Sequence, residues 1–143
     1  MDKEALTGKR ILITRAREQS SEFAARLRDR GAEVIEFPTI EIVPPLSWKE
    51  LDGAIDRLRA YDWIIFTSVN GVTFFRQRLN ERGKGPDFRT SLKVCAIGPA
   101  TAKQLKKNGI RVDYTPKEYI AEAILDGFEK MAVQGKRILL ARV

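Results

Sequence analysis

A chain of 143 residues with 43% hydrophobic content can build one packed domain. It has no histidine and one cysteine, which excludes an internal disulfide, histidine acid–base or triad chemistry, and the usual zinc ligand sets. The net charge of +7 points to an anionic partner. No run approaches the roughly 18 apolar residues of a membrane helix, and the charged start Met1-Asp-Lys-Glu4 is not followed by an apolar run. The expectation is a cytoplasmic protein without membrane contact.

Apolar runs alternate with amphipathic segments, predicting an α/β fold with a largely parallel sheet. Arg10–Thr14 is a short β-branched strand. Ala16–Arg30 reads as a helix with Phe23, Ala24 and Leu27 inward and Gly31 as its stop. Glu33–Phe37 is the next strand. Pro38 and Pro44-Pro45 bracket Thr39–Val43, an extended connector. Ser47 and Glu50 fit a capping box opening a helix that buries Trp48, Leu51, Ile55 and Leu58. Asp62–Thr67 reads as a strand buried on both faces. Asn70 is expected to cap a helix through Val72, Phe75 and Leu79, and residues 83–86 form a loop. Lys93–Ile97 is a strand whose Cys95 is core filler. Pro99 opens a helix that Gly109 ends. Ile110–Tyr114 is a short strand. Glu118–Met131 is a helix with Ile120, Ile124, Leu125 and Phe128 inward, and Lys136–Val143 is a last strand.

The charge is unevenly placed. Residues 1–43 carry eight basic and eight acidic residues, whereas residues 44–143 carry eighteen and eleven and so account for the whole +7. No aromatic residues interleave with the basic ones as a single-strand nucleic-acid platform needs, so nucleic acid is not the expected partner. Gly8-Lys-Arg-Ile-Leu-Ile-Thr-Arg15 recurs as Gly135-Lys-Arg-Ile-Leu-Leu-Ala-Arg142, identical at six of eight positions. The second copy lacks a crossover helix behind it, which predicts a cut sequence. The first unit could then complete the second unit's sheet, within one chain or by exchange between two, so self-association is expected.

In open parallel sheets, ligands bind beyond the carboxyl ends of the strands. Three such ends carry polar turns that enter helices: Thr14-Arg15-Ala16-Arg17, Thr67-Ser68-Val69-Asn70-Gly71 and Gly98-Pro99-Ala100-Thr101-Ala102. Backbone N–H groups and the dipole at a helix start receive carboxylates or phosphates. Gly71 and Gly98 would let a ligand approach the backbone. Each turn also has a plainer reading: Ser68 and Asn70 as caps, Thr101 as a first-turn residue, Arg15 and Arg17 as solvated charges. No nucleotide-binding glycine motif is present. The residues alone support an anion-binding α/β domain that needs neither metal nor histidine.

Gly8-Lys-Arg-Ile-Leu-Ile-Thr-Arg-Ala-Arg-Glu-Gln19 and Phe37-Pro-Thr-Ile-Glu-Ile42 resemble the opening of bacterial uroporphyrinogen-III synthases. So do Tyr61-Asp-Trp-Ile-Ile-Phe-Thr-Ser-Val-Asn-Gly71 and Ala96-Ile-Gly-Pro-Ala-Thr-Ala102, in the same order and spacing, with Tyr119-Ile-Ala-Glu122 where the family has a similar segment. The start Leu6-Thr-Gly-Lys-Arg10 is also like synthase modules fused behind a uroporphyrinogen methyltransferase.

The resemblance implies a three-layer α/β/α, flavodoxin-like build with two domains joined by extended linkers, incomplete here. Residues 1–43 would be the βαβ start of a discontinuous first domain plus a linker, and residues 44–143 a second domain truncated at its C-terminal end. It implies a lyase of tetrapyrrole, haem or sirohaem biosynthesis that cyclises hydroxymethylbilane with loss of water and inversion of the terminal ring, without cofactor or metal. Thr101 would stand nearest the departing hydroxyl. Thr14, Arg15, Thr67, Ser68, Asn70, Gly71, Gly98, Pro99 and Ala100 would bind substrate carboxylates. A full-length parent is expected to be a monomer, and this chain alone to be inactive. The rival reading is a non-catalytic anion-binding or regulatory domain of the same build.

Overall fold

The computed structural model describes residues 5–85 and 92–142, apart from the side chains of Glu18 and Gln19. Pro86 and Val143, expected in a loop and at a strand end, lie outside the described residues. The chain divides into two compact units, Met1–Pro45 and Leu46–Val143.

In the first unit, β1 (Arg10–Ile13), α1 (Arg17–Arg28) and β2 (Glu33–Glu36) form a βαβ unit. The strands are parallel, in register from Arg10↔Glu33 to Ile13↔Glu36. Helix α1 ends as expected, with Gly31 at φ +88°, where a side chain would be strained. The inner line of α1 runs through Ser20, Ala24 and half-buried Leu27. Phe23, expected inward, lies one position round the helix and is half exposed. Leu12 and Ile35, paired across the strands, are exposed together with Phe37.

The second unit contains α2 (Lys49–Asp56), a 3-10 turn (Leu58–Ala60), β3 (Trp63–Phe66), α3 (Val69–Glu81), β4 (Lys93–Ala96), α4 (Pro99–Lys107), α5 (Ala121–Glu129) and β5 (Ile138–Ala141). Its parallel sheet has the order β4-β3-β5, with Trp63 opposite both Lys93 and Ile138. All four residues of β3 are buried, the expected signature of a central strand covered on both faces. On one face Ile64, Phe66, Val94 and Ala96 pack with Ile55 of α2, Phe75 of α3 and Leu105 of α4. On the other, Trp63, Ile65 and Cys95 pack against Ile124 and Phe128 of α5. Among the described residues, no helix is long and apolar enough to cross a membrane.

Four local expectations are corrected. Ser68, not Asn70, caps α3, its Oγ accepting from the Gly71 N–H at 3.0 Å. The capping box at Ser47 does not close. Trp48 is already near-helical at φ −94°, ψ 0°, so the cap falls on a residue that makes no side-chain cap bond, and Ser47 Oγ accepts from Lys49 N. Residues Ile110–Tyr114 form a single bridge, Tyr114 to Cys95, instead of a strand. There the Asp113 carboxylate takes the Val94 N–H at 2.8 Å, replacing a ladder bond. Finally, Leu125 is 63% exposed, one position off the Ile124–Phe128 line, and Ile120 precedes α5 and is also exposed. Among the described residues β1 pairs with β2, and β3 pairs with β4 and β5.

Candidate anion site at the carboxyl edge of the second sheet

Strands β3 and β4 are neighbours running the same way, so their carboxyl ends emerge side by side. The Ile97 N–H donates to the Phe66 carbonyl at 3.0 Å and extends the pairing to the last residue before the turns. Each strand then feeds a helix, β3 through Thr67-Ser68 into α3 and β4 through Ile97-Gly98 into α4. Helices α3 and α4 pack together, with Gln104 Nε2 donating to Thr73 Oγ1 at 3.5 Å. Two helix N-termini are thereby held at one edge. Thr67, Ser68, Asn70, Gly71, Gly98, Pro99, Ala100 and Thr101 all lie on these two turns and first helical turns.

The two N-termini differ. In α3 the Ser68 hydroxyl takes the Gly71 N–H, so one donor is already used. Gly71 is buried, and a Cβ there would meet the Ala141 carbonyl oxygen and Ser68 Oγ, both at 3.3 Å. Its lack of a side chain serves close packing against the end of β5. In α4 the cap residue is Gly98, which has no side chain, and Pro99 at the first helical position has no N–H. Among the described residues no side-chain cap bond reaches this helix start, so the Ala100 and Thr101 amides are free of a cap there. Neither α3 nor α4 has an acidic residue in its first turn, whereas α2 has Glu50 and Asp52 and α5 has Glu122. The positive dipole ends at the sheet edge therefore lack a carboxylate neighbour of their own.

Thr101 is 4% exposed, one of two buried polar residues among those described. Among the described residues its hydroxyl has no hydrogen-bond partner. The only buried side-chain nitrogen or oxygen without a partner there is Nη1 of Arg76, so the Thr101 oxygen keeps access to solvent. Cys95 lies two residues before the turn, but burial pushes its thiol up to about 12, which removes it as a nucleophile.

Thr14 and Arg15 belong to the first unit and are exposed. The Thr14 carbonyl accepts from Thr39 N at 3.2 Å and Thr39 Oγ1 at 2.9 Å, which ties the connector to the end of β1. Arg17, Pro38, Thr39, Ile40 and Glu41 line a cavity of ≈ 460 Å³ beside this tie. Two features escaped the sequence reading. Ser20 is buried and donates to Glu36 Oε2 at 2.8 Å, and Glu36 also accepts from Arg28 at 2.8 Å. These bonds, Arg28 foremost, hold the Glu36 carboxyl below its ordinary range. The ring of Tyr119 lies against Gly98. Neither contact leaves a local signal, since the partners are distant in sequence.

A sequence model of the family described as "Uroporphyrinogen-III synthase HemD" matches residues 21–143. The chain belongs to the uroporphyrinogen-III synthase family. A uroporphyrinogen-III synthase of Synechococcus elongatus is 45% identical over 144 residues, which cover 100% of this chain and 53% of that protein. A porphyrin biosynthesis protein HemD of Ruminiclostridium josui is 34% identical over 138 residues, covering 96% of this chain and 27% of that one. The uroporphyrinogen-III synthetase structure from Helicobacter pylori superposes with a TM-score of 0.66 at 23% identity, over 88% of this chain and 55% of that chain. That likeness bears on the fold. The chain spans about half the length of the Synechococcus relative.

Proposed function

We propose that this chain supplies a carboxylate-binding part of a uroporphyrinogen-III synthase site, and that the substrate it serves is hydroxymethylbilane. The reading rests on the helix start at Gly98–Thr101, whose donors lack a side-chain cap and whose first turn lacks an acid. A flexible octacarboxylate must be folded before its ends can meet, and a site that fixes carboxylates does this work through orientation. Ala100 and Thr101 N–H groups and the start of α3 with Ser68 and Asn70 are the proposed carboxylate contacts. In the reaction the substrate hydroxyl leaves as water and a resonance-stabilised cation remains. The terminal ring attacks through its substituted carbon, and the spiro intermediate reopens and recloses with that ring inverted. Thr101 is proposed to hydrogen-bond the departing hydroxyl. A proton must reach that oxygen, and a bound threonine hydroxyl can relay one without itself carrying charge.

Titration with uroporphyrin III, an octacarboxylate, tests the reading. The unaltered chain should bind it saturably. Ala100→Glu puts a carboxylate into the first turn of α4. It should raise thermal stability slightly, because an acid there favours the helix, yet weaken uroporphyrin binding several-fold. Equal binding by the two proteins would remove this helix start from the site.

A further inference from the structure

Gly98 is buried with an extended backbone at φ −164°, a conformation open to any residue. Its lack of a side chain therefore answers a question of space. A Cβ on Gly98 would lie 3.1 Å from Tyr119 Cγ and 3.3 Å from Tyr119 Cβ and Cδ1. The nearest neighbours of that position thus all belong to one tyrosine, whose ring rests on the cap residue of α4. Tyr119 remains 60% exposed. Since its near end, Cβ to Cδ1, makes the contact, the hydroxyl end is the part turned to solvent. Among the described residues that hydroxyl makes no hydrogen bond. A phenol so placed is hydrated, and can exchange that water for an acceptor on a ligand.

The same helix start carries the uncapped amides of Ala100 and Thr101 and the unpaired hydroxyl of Thr101, a side chain that is buried apart from access at its oxygen. Both sets of donors would serve one kind of ligand. Resting on the carboxylate-site reading above, we propose that Tyr119 is a substrate-binding residue. Its ring forms a wall of the site at the α4 N-terminus, and its hydroxyl donates a hydrogen bond to a carboxylate bound there. Gly98 is the residue that lets the wall stand so close. The role assigned to Gly98 from sequence, close approach of a ligand to the backbone, passes in part to the ring that covers it.

The test uses the whole chain and uroporphyrin III as probe, with binding read by calorimetry. Tyr119→Phe keeps the ring and removes the donor. It should weaken binding roughly tenfold, the usual loss for one hydrogen bond to a charged acceptor, with the melting temperature unchanged. Gly98→Ala displaces the ring and should weaken binding in the unaltered background. It should have little effect on binding in a Tyr119→Ala chain, where no ring remains to displace. If unaltered and Tyr119→Phe chains bind equally, the inference fails and the carboxylate-site reading stands. If Gly98→Ala acts equally in both backgrounds, the ring is not the intermediary and the inference also fails. If the unaltered chain shows no saturable binding, the site reading itself falls and takes this inference with it.

Discussion

Arg78 of α3 clamps Asp52 of α2 with two parallel bonds, Nε to Oδ1 and Nη2 to Oδ2, each 2.6 Å. The same guanidinium lies 5.5 Å from the Trp48 ring centroid and bonds Glu81 at 2.8 Å. One turn along, Arg82 and Lys84 share Asp56. Arg78 chiefly holds the Asp52 carboxyl below its ordinary range, and Arg82 chiefly does so for Asp56. Both carboxylates therefore favour the folded state while ionised. Their contribution is full above the unfolded carboxyl value, near 4, and fades as pH falls through the lower folded values. Denaturant midpoints should fall between pH 5 and pH 3, and Asp52→Asn should lower the neutral-pH midpoint while shrinking that acid step. An unchanged acid step in Asp52→Asn would show that the clamp contributes nothing to folding.

Gly127 lies mid-helix in α5, where alanine would ordinarily be favoured by roughly 1 kcal/mol. Here a Cβ would overlap the Tyr114 hydroxyl and Cζ, and that hydroxyl bonds the Ala123 carbonyl at 3.4 Å. Gly127→Ala should destabilise the chain by about 1–3 kcal/mol through overpacking. In a Tyr114→Ala background the same change should stabilise it. Urea titrations of the four proteins check the reversal of sign.

Cys95 is fully buried and its thiol is pushed up to about 12 by burial. In the folded chain it should resist thiol reagents at pH 8 for hours, and react within minutes once urea unfolds the second unit. Rapid labelling of the native chain would mean that β4 opens locally.

The positive charge of residues 44–143 should make uroporphyrin binding weaken steadily from low salt to about 0.15 M, where screening acts over roughly 8 Å. Duplex DNA should bind weakly and without sequence preference. Tight, sequence-selective DNA binding would favour a regulatory role over a synthase.

Strands β1, β3 and β5 were readable because each contains a short run of large apolar residues. Trp63–Phe66 has such residues at every position and is buried at every position. Helix faces were readable only to within one residue. An apolar stripe covers about 100° of a helix, so Phe23 and Leu125 fit the pattern while lying just outside the contact. Caps misread for a similar reason: Ser68 and Asn70 are both good caps, and only the backbone decides which one sits at the boundary. The donor-rich turn at Gly98–Thr101 was legible, because proline at a helix start and the strand before it are local signals. Its tyrosine wall was not, because nothing near Gly98 in sequence names Tyr119.

The order β4-β3-β5 also bears on when the second unit can form. Asp62 reaches across to Arg137, its carboxylate accepting the Arg137 N–H at 2.9 Å over a separation of 75 residues, and Trp63 and Ile138 pair beside them. Strands β3 and β4, with α2 to α4, can assemble from a continuous stretch of chain, whereas β5 must close a long loop. Such distant pairings slow folding, because loop entropy is lost before contacts are gained. During synthesis the sheet would wait, two strands wide, until β5 left the ribosome. Over that interval the β3 edge that later receives β5 is open to other chains.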